Sequence, residues 1–155
     1  MEFASVEDAA RHVGADLGVS DWVELGEEEL QVFGRITGDT HWIHVDPARA
    51  AAEGPFGSVI VHGFLTLSLV TALANQCYTI TSARRWVNYG LDRVRFVSPL
   101  LPRTPVRLEL RLDSVEPKPD GGRLHLGCRI VTANGTPVMV ATWLVHVVER
   151  EKETV

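Results

Sequence analysis

The stretch TGDTHWIHVDP, residues 37–47, sets Asp39, His41, His44 and Asp46 within a few positions of one another. A carboxylate beside an imidazole can orient a water and pass its proton near neutral pH. Asp39 and His44 stand five positions apart, a spacing that turns two side chains well away from each other on a continuous α-helix. They converge only if the backbone leaves the helix between them. Gly38 before the pair and Asp46-Pro47 after it both mark such breaks. The plainer alternative is that Asp39 caps a turn and His44 packs at a loop edge, so the surrounding elements have to decide.

A second group of residues opens the apolar run VHGFLTLSL. Gly63 in the first turn of a helix would present a bare backbone N–H at the positive helix end. Such a donor suits a thioester oxygen that gains negative charge as its enolate forms. A glycine there also serves close helix–sheet approach. His62 either enters the site or fills the helix start, and a supporting position behind the reacting groups is expected. Asp39, His41, His44, Asp46 and His62 together raise a metal reading. The chain has neither HExxH nor zinc-type Cys/His spacing, so neither a metal nor another cofactor is expected.

Something must hold these residues. SVEDAARHVG reads as a short helix from Ser5 to a stop at Gly14, and DWVEL as a short strand. GEEELQVFGRITG reads as a helix that buries Leu30, Phe33 and Ile36 and ends at Gly38. DPARAAAEG reads as a small helix capped by Asp46, with Pro47 at its first position and Gly54 at its stop. The segment from Ser58 to Ile80 is apolar on nearly every side, which predicts a long helix wrapped by other structure. Its polar residues, His62, Thr66, Ser68, Thr71, Asn75 and Gln76, and its missing basic flanks argue against a membrane span.

The second half supplies the wrapper. RWVNYGLDRVRFVSP reads as a strand whose inward phase changes at a bulge near Gly90. VRLELRLDSVE alternates through Val106, Leu108, Leu110 and Leu112, and RLHLGCRIV through Leu124, Leu126, Cys128 and Ile130. PKPDGG and ANGTP are hairpin signals. VMVATWLVHVV is apolar on both faces and is expected to be central in its sheet or covered by a partner subunit. The sum is an α+β fold, an antiparallel sheet wrapped around a long central helix, in one domain over residues 1–155.

With 155 residues and a formal net charge of −5, the chain offers no general case for nucleic acid or a membrane surface. Arg84, Arg85, Arg93, Arg95, Arg103, Arg107 and Arg111 gather late, as outward strand faces or as a patch for a polyanionic ligand. Cys77 and Cys128 read as small apolar packing residues in a reducing compartment. The opening MEFASVEDAARH lacks the apolar core of a signal peptide, so a cytoplasmic location is expected.

FGRITGDTHWIHVDPARAA followed by GPFGSVIVHGFLTLSLV resembles the MaoC-like (R)-specific enoyl-CoA hydratases, or 3-hydroxyacyl-thioester dehydratases. The resemblance runs from about Trp22 to Val148. It implies the hot-dog fold and a homodimer whose sheets join edge to edge, with an acyl-CoA or other acyl thioester bound near the subunit interface. It implies Asp39 and His44 as the catalytic pair and the Gly63 N–H as oxyanion donor, with Thr71 as a small hydroxyl near the pair. The commonest family pattern carries Asn-Pro where His41-Trp42 stand here. The WIHVDP ending is similar to a NodN-like subgroup, and His41 is expected to touch the site. The reaction implied is reversible hydration of a trans-2-enoyl thioester to an (R)-3-hydroxyacyl thioester. The rivals are a hot-dog thioesterase and a non-catalytic acyl-CoA-binding or dehydratase subunit.

Overall fold

The computed structural model describes residues 1–150, and the last five positions of the expected domain lie outside the described residues. A two-residue strand β1 (Glu2–Phe3) leads into α1 (Val6–Ala10), and β2 (Asp16–Val19) follows. Three helices come next, α2 (Glu27–Thr37), α3 (Trp42–Val45) and α4 (Pro47–Glu53), and then α5 (Gly63–Ala74). The rest is sheet: β3 (Thr79–Ile80), β4 (Ala83–Phe96), β5 (Val106–Lys118), β6 (Gly121–Thr132) and β7 (Pro137–Glu149).

The main sheet has the antiparallel order β2-β5-β6-β7-β4. Alternation puts Leu108, Leu110, Leu112, Leu124, Leu126, Cys128 and Ile130 on one face, each at most 2% exposed. That face belongs to the same buried cluster as Val70, Leu73 and Ala74 of α5, so the sheet wraps the helix in the hot-dog arrangement. β7, apolar in sequence on both faces, is paired on both edges, by β6 and by β4, as expected of a central strand. Both free cysteines are buried in the core.

Several expectations need correction. DWVEL contributes only a bridge, Val23 to Val106, and the strand pairing with β5 is Asp16–Val19 instead. α1 ends at Ala10, before Gly14, whose positive φ of 91° serves the turn into β2. The apolar segment 58–80 is helical only over Gly63–Ala74. Its start is drawn out straight because Ile60 N–H donates to the Ile43 carbonyl (3.0 Å) and Val61 N–H to the Leu100 carbonyl (2.8 Å). Its end is taken by β3, which pairs in parallel with β1. Ile36, expected inside, is 78% exposed. β4 is an edge strand with shifts in register at Asn88/Gly90 and Asp92/Arg95, the first of them the bulge expected near Gly90. No helix among the described residues is long and apolar enough to cross a membrane.

Candidate active site

The crowded loop is built by chain breaks at both ends. α2 stops at Gly38, whose φ of 80° is left-handed and whose N–H returns to the Gly34 carbonyl (2.9 Å). The chain then folds back against α2. A Cβ on Gly34 would lie 2.9 Å from the Asp39 carbonyl oxygen and 3.2 Å from Val45. One helical turn, α3, swings His44 back toward Asp39, since the His44 N–H donates to the His41 carbonyl (2.9 Å). Asp46 then ends α3 and caps α4, its carboxylate accepting from Arg49 N–H (3.0 Å). Asp46 is therefore a structural cap.

Asp39, His44 and His62 meet here. A carboxylate oxygen of Asp39 and one ring nitrogen from each histidine all lie within 4.8 Å of one another. Two hydrogen bonds to a shared water span about 4.6 Å at tetrahedral geometry, which lies within that upper limit. His44 Nδ1 is 2.7 Å from the Ile60 carbonyl oxygen, and His62 Nε2 is 3.0 Å from the Asp39 carbonyl oxygen. A carbonyl oxygen only accepts, so both of these nitrogens carry protons. In a neutral His44 the bare nitrogen is then Nε2. The two rings stack with centroids 4.0 Å apart and planes 22° apart. Lone pairs in the planes of stacked rings run side by side and do not aim at one centre, a poor arrangement for a shared ion.

α5 begins without a side-chain cap, so the Gly63 N–H has no intrahelical partner. His44 and Gly63 line one cleft of about 280 Å³, together with Phe56, Ile60, Thr66 and Phe96. A Cβ on Gly63 would meet the Phe96 ring at 2.8 Å, so the ring lies directly over the bare glycine here. Asp39 stands outside the cleft lining, with its side chain 54% exposed.

Two expected site residues are not brought in. His41 is exposed and caps α3, its Nδ1 accepting from Ile43 N–H (3.4 Å). Its ring leans on Trp42 and stays out of the Asp39–His44–His62 cluster, because an N-cap side chain must turn back over its own helix. Thr71 lies two helical turns beyond Gly63, about 12 Å along the axis. It lines separate cavities with Asn88 and Trp143. The hydroxyl residues that line the His44 cleft are Ser98 and Thr66, and the Thr66 hydroxyl donates to the His62 carbonyl (3.3 Å). Its i+4 spacing from His62 was a usable signal. The Ile60 carbonyl had none, being a backbone group. Nor do the late arginines form one patch at the cleft. Arg107 stacks on Trp22, and Arg111 faces Asp16 and Asp113, each at 3.7 Å.

A family model described as "MaoC like domain" matches residues 8–122. The chain is 48% identical over 114 residues to 3-hydroxyacyl-thioester dehydratase Z of Mycobacterium tuberculosis, covering 74% of this chain and 75% of that one. It is 43% identical over 108 residues to nodulation protein N of Rhizobium leguminosarum bv. viciae, covering 69% and 67%. The unliganded R-hydratase PhaJ1 of Pseudomonas aeruginosa superposes with a TM-score of 0.75 at 21% identity, covering 96% of this chain and 88% of that one, a likeness of fold. The family match covers the Asp39–His44 loop, Gly63 with the rest of α5, and the strands up to β5, and with it the chain belongs to the MaoC-like dehydratase domain family.

Proposed function

We propose that the protein adds water reversibly to a trans-2-enoyl thioester, acyl-CoA among them, giving the (R)-3-hydroxyacyl thioester. The observation that carries this reading is the approach of the Asp39 carboxylate and the His44 ring to a water-bridging separation beside the uncapped start of α5. The relative named as a 3-hydroxyacyl-thioester dehydratase supports the same reaction class.

The Ile60 carbonyl fixes the His44 tautomer, which gives the pair distinct parts. Asp39 accepts one hydrogen of the water and orients it. His44 Nε2 removes the other hydrogen as the oxygen bonds to C3. The π electrons of C2=C3 move onto the thioester, and the Gly63 N–H stabilises the enolate oxygen. The imidazolium then returns its Nε2 proton to C2. Both new bonds form from the side on which the pair stands, so the addition is syn. Asp39 also stabilises the transient imidazolium.

In one chain Asp39 is open to solvent, and apolar side chains stand uncovered at the start of α5 and on the sheet edge. Phe64 of α5 is 71% exposed, and Trp86, Tyr89 and Leu91 of the edge strand β4 are all exposed. A homodimer that joins the two β4 edges would cover them and exclude water from the reacting groups. In this reading one MaoC-like domain occupies the whole chain.

The direct test is crotonyl-CoA incubated with purified protein. The expected result is loss of enoyl absorbance, no release of free thiol, and (R)-3-hydroxybutyryl-CoA as product. Thiol release without hydration makes the protein a thioesterase, and binding without turnover makes it a carrier or subunit; both outcomes overturn the proposal.

A further inference from the structure

His62 has an environment that packing alone does not explain. It is 2% exposed and stands at the N-cap of α5 without capping the helix. Its Nε2–H donates across 23 residues to the Asp39 carbonyl. Its Nδ1 is buried with no hydrogen-bond partner. Phe33 closes one side of the ring at 5.0 Å between centroids, and His44 stacks on it at 4.0 Å. A buried acceptor without a donor is destabilising, and an apolar side chain would fill the same space without that penalty. The retained imidazole must therefore supply something an apolar residue lacks, and the structure shows two such things. It offers an N–H to the main chain of Asp39, and a flat face to the ring of His44.

We infer that His62 is the positioning residue of the site, one buried ring that sets the place of both reacting groups. The inference rests on the hydration reading of Asp39 and His44. Held by His62 on one side and by the close approach of Gly34 on the other, the Asp39 main chain has little room to move, so its carboxylate swings from a fixed point. His44 is held at its edge by the Ile60 carbonyl and on its face by His62, which leaves the ring little freedom to turn. His62 is 2% exposed and is not among the residues that line the cleft.

Two variants separate this role from simple filling of space. His62→Gln retains an amide N–H near the position of Nε2, and His62→Leu retains the volume without a donor. A space-filling role predicts that Leu is at least as good as Gln in both stability and turnover. The positioning role predicts opposite orders. His62→Leu is as stable as His62→Gln or more so, yet its kcat per folded molecule falls on the order of 10²-fold, with KM within about twofold. His62→Gln keeps kcat within about tenfold of the parent. Equal kcat in the two variants, or losses that track the folded fraction, would overturn the inference.

Should neither variant fold, the unmodified protein provides the reading. Long-range ¹⁵N–¹H spectra of the imidazoles should show His62 with its proton on Nε2, protected from solvent exchange, and a bare Nδ1. A proton on Nδ1 or a freely exchanging Nε2–H would overturn the inference. A wild-type protein inert toward enoyl thioesters would instead remove the hydration reading, and the tautomer measurement tells the two failures apart.

Discussion

Gly34→Ala is a small change in the middle of α2, yet it reaches the candidate site. Two effects compete. Alanine is better than glycine inside a helix by about 1 kcal/mol. The added Cβ, however, would stand 2.9 Å from the Asp39 carbonyl oxygen, some 0.5 Å inside ordinary contact. That atom is backbone and cannot rotate away, and Val45 crowds the same Cβ at 3.2 Å. Overpacking of this kind costs about 1–3 kcal/mol. The net destabilisation is thus roughly 0–2 kcal/mol, or at most several degrees in Tm for a chain of this size. The relief available is an outward shift of the loop that carries Asp39, and a shift of this order at a reacting group costs turnover out of proportion to stability, on the order of 10-fold to 10²-fold. Thermal melts and crotonyl-CoA hydration on the same sample check both numbers. A variant with raised Tm and unchanged kcat would refute the close approach of the Asp39 loop to α2.

Gly63→Ala should lower kcat/KM at least tenfold with little loss of stability, because the half-exposed Phe96 ring can yield to the new Cβ only by moving within the His44 cleft; unaltered kinetics would count against Gly63 as a site residue. Leu91→Glu on the exposed edge of β4 should give a monomer in sedimentation with reduced turnover; a dimeric variant, or a monomer at parental activity, speaks against dimerisation through this edge. Burial pushes the Cys128 thiol up to about 12, from an ordinary value near 9. The unfolded thiol loses its proton first as pH rises, so the folded form binds more protons there and stability falls through the window from about 9 to 12. Burial shifts Cys77 and Tyr78 in the same direction. Tm should therefore drop on going from pH 8 to pH 10.5, and Cys128→Ala should make that drop shallower; an equal drop in the variant would show that Cys128 does not contribute.

The strands β5, β6 and β7 and the helices α2 and α4 were legible because each carries a local signal that tertiary structure did not override. Leucines at every second position, Gly38 at a helix end, and Asp46-Pro47 ahead of alanines all act on their own neighbours. The break between Asp39 and His44 was legible for the same reason. What sequence could not show was settled by distant partners. Ser58–Val61 is as apolar as α5, but Ile43 and Leu100 take its backbone as an extended segment, and that places the Ile60 carbonyl against His44. β1 and β3 have only two residues each and exist through each other. Ile36 follows the helical period of Leu30 and Phe33, yet the chain turns away after Gly38 and leaves it uncovered. Thr71 was carried in by resemblance alone, whereas helix geometry favours Thr66.

The most direct test of the account is the hydration rate of crotonyl-CoA by Asp39→Asn, a change of one atom on an exposed side chain that leaves the Asp39 carbonyl, and so its bond from His62, in place. The expected result is a folded protein with parental Tm and kcat lowered by about 10²–10⁴-fold. Near-parental turnover in that variant would contradict it.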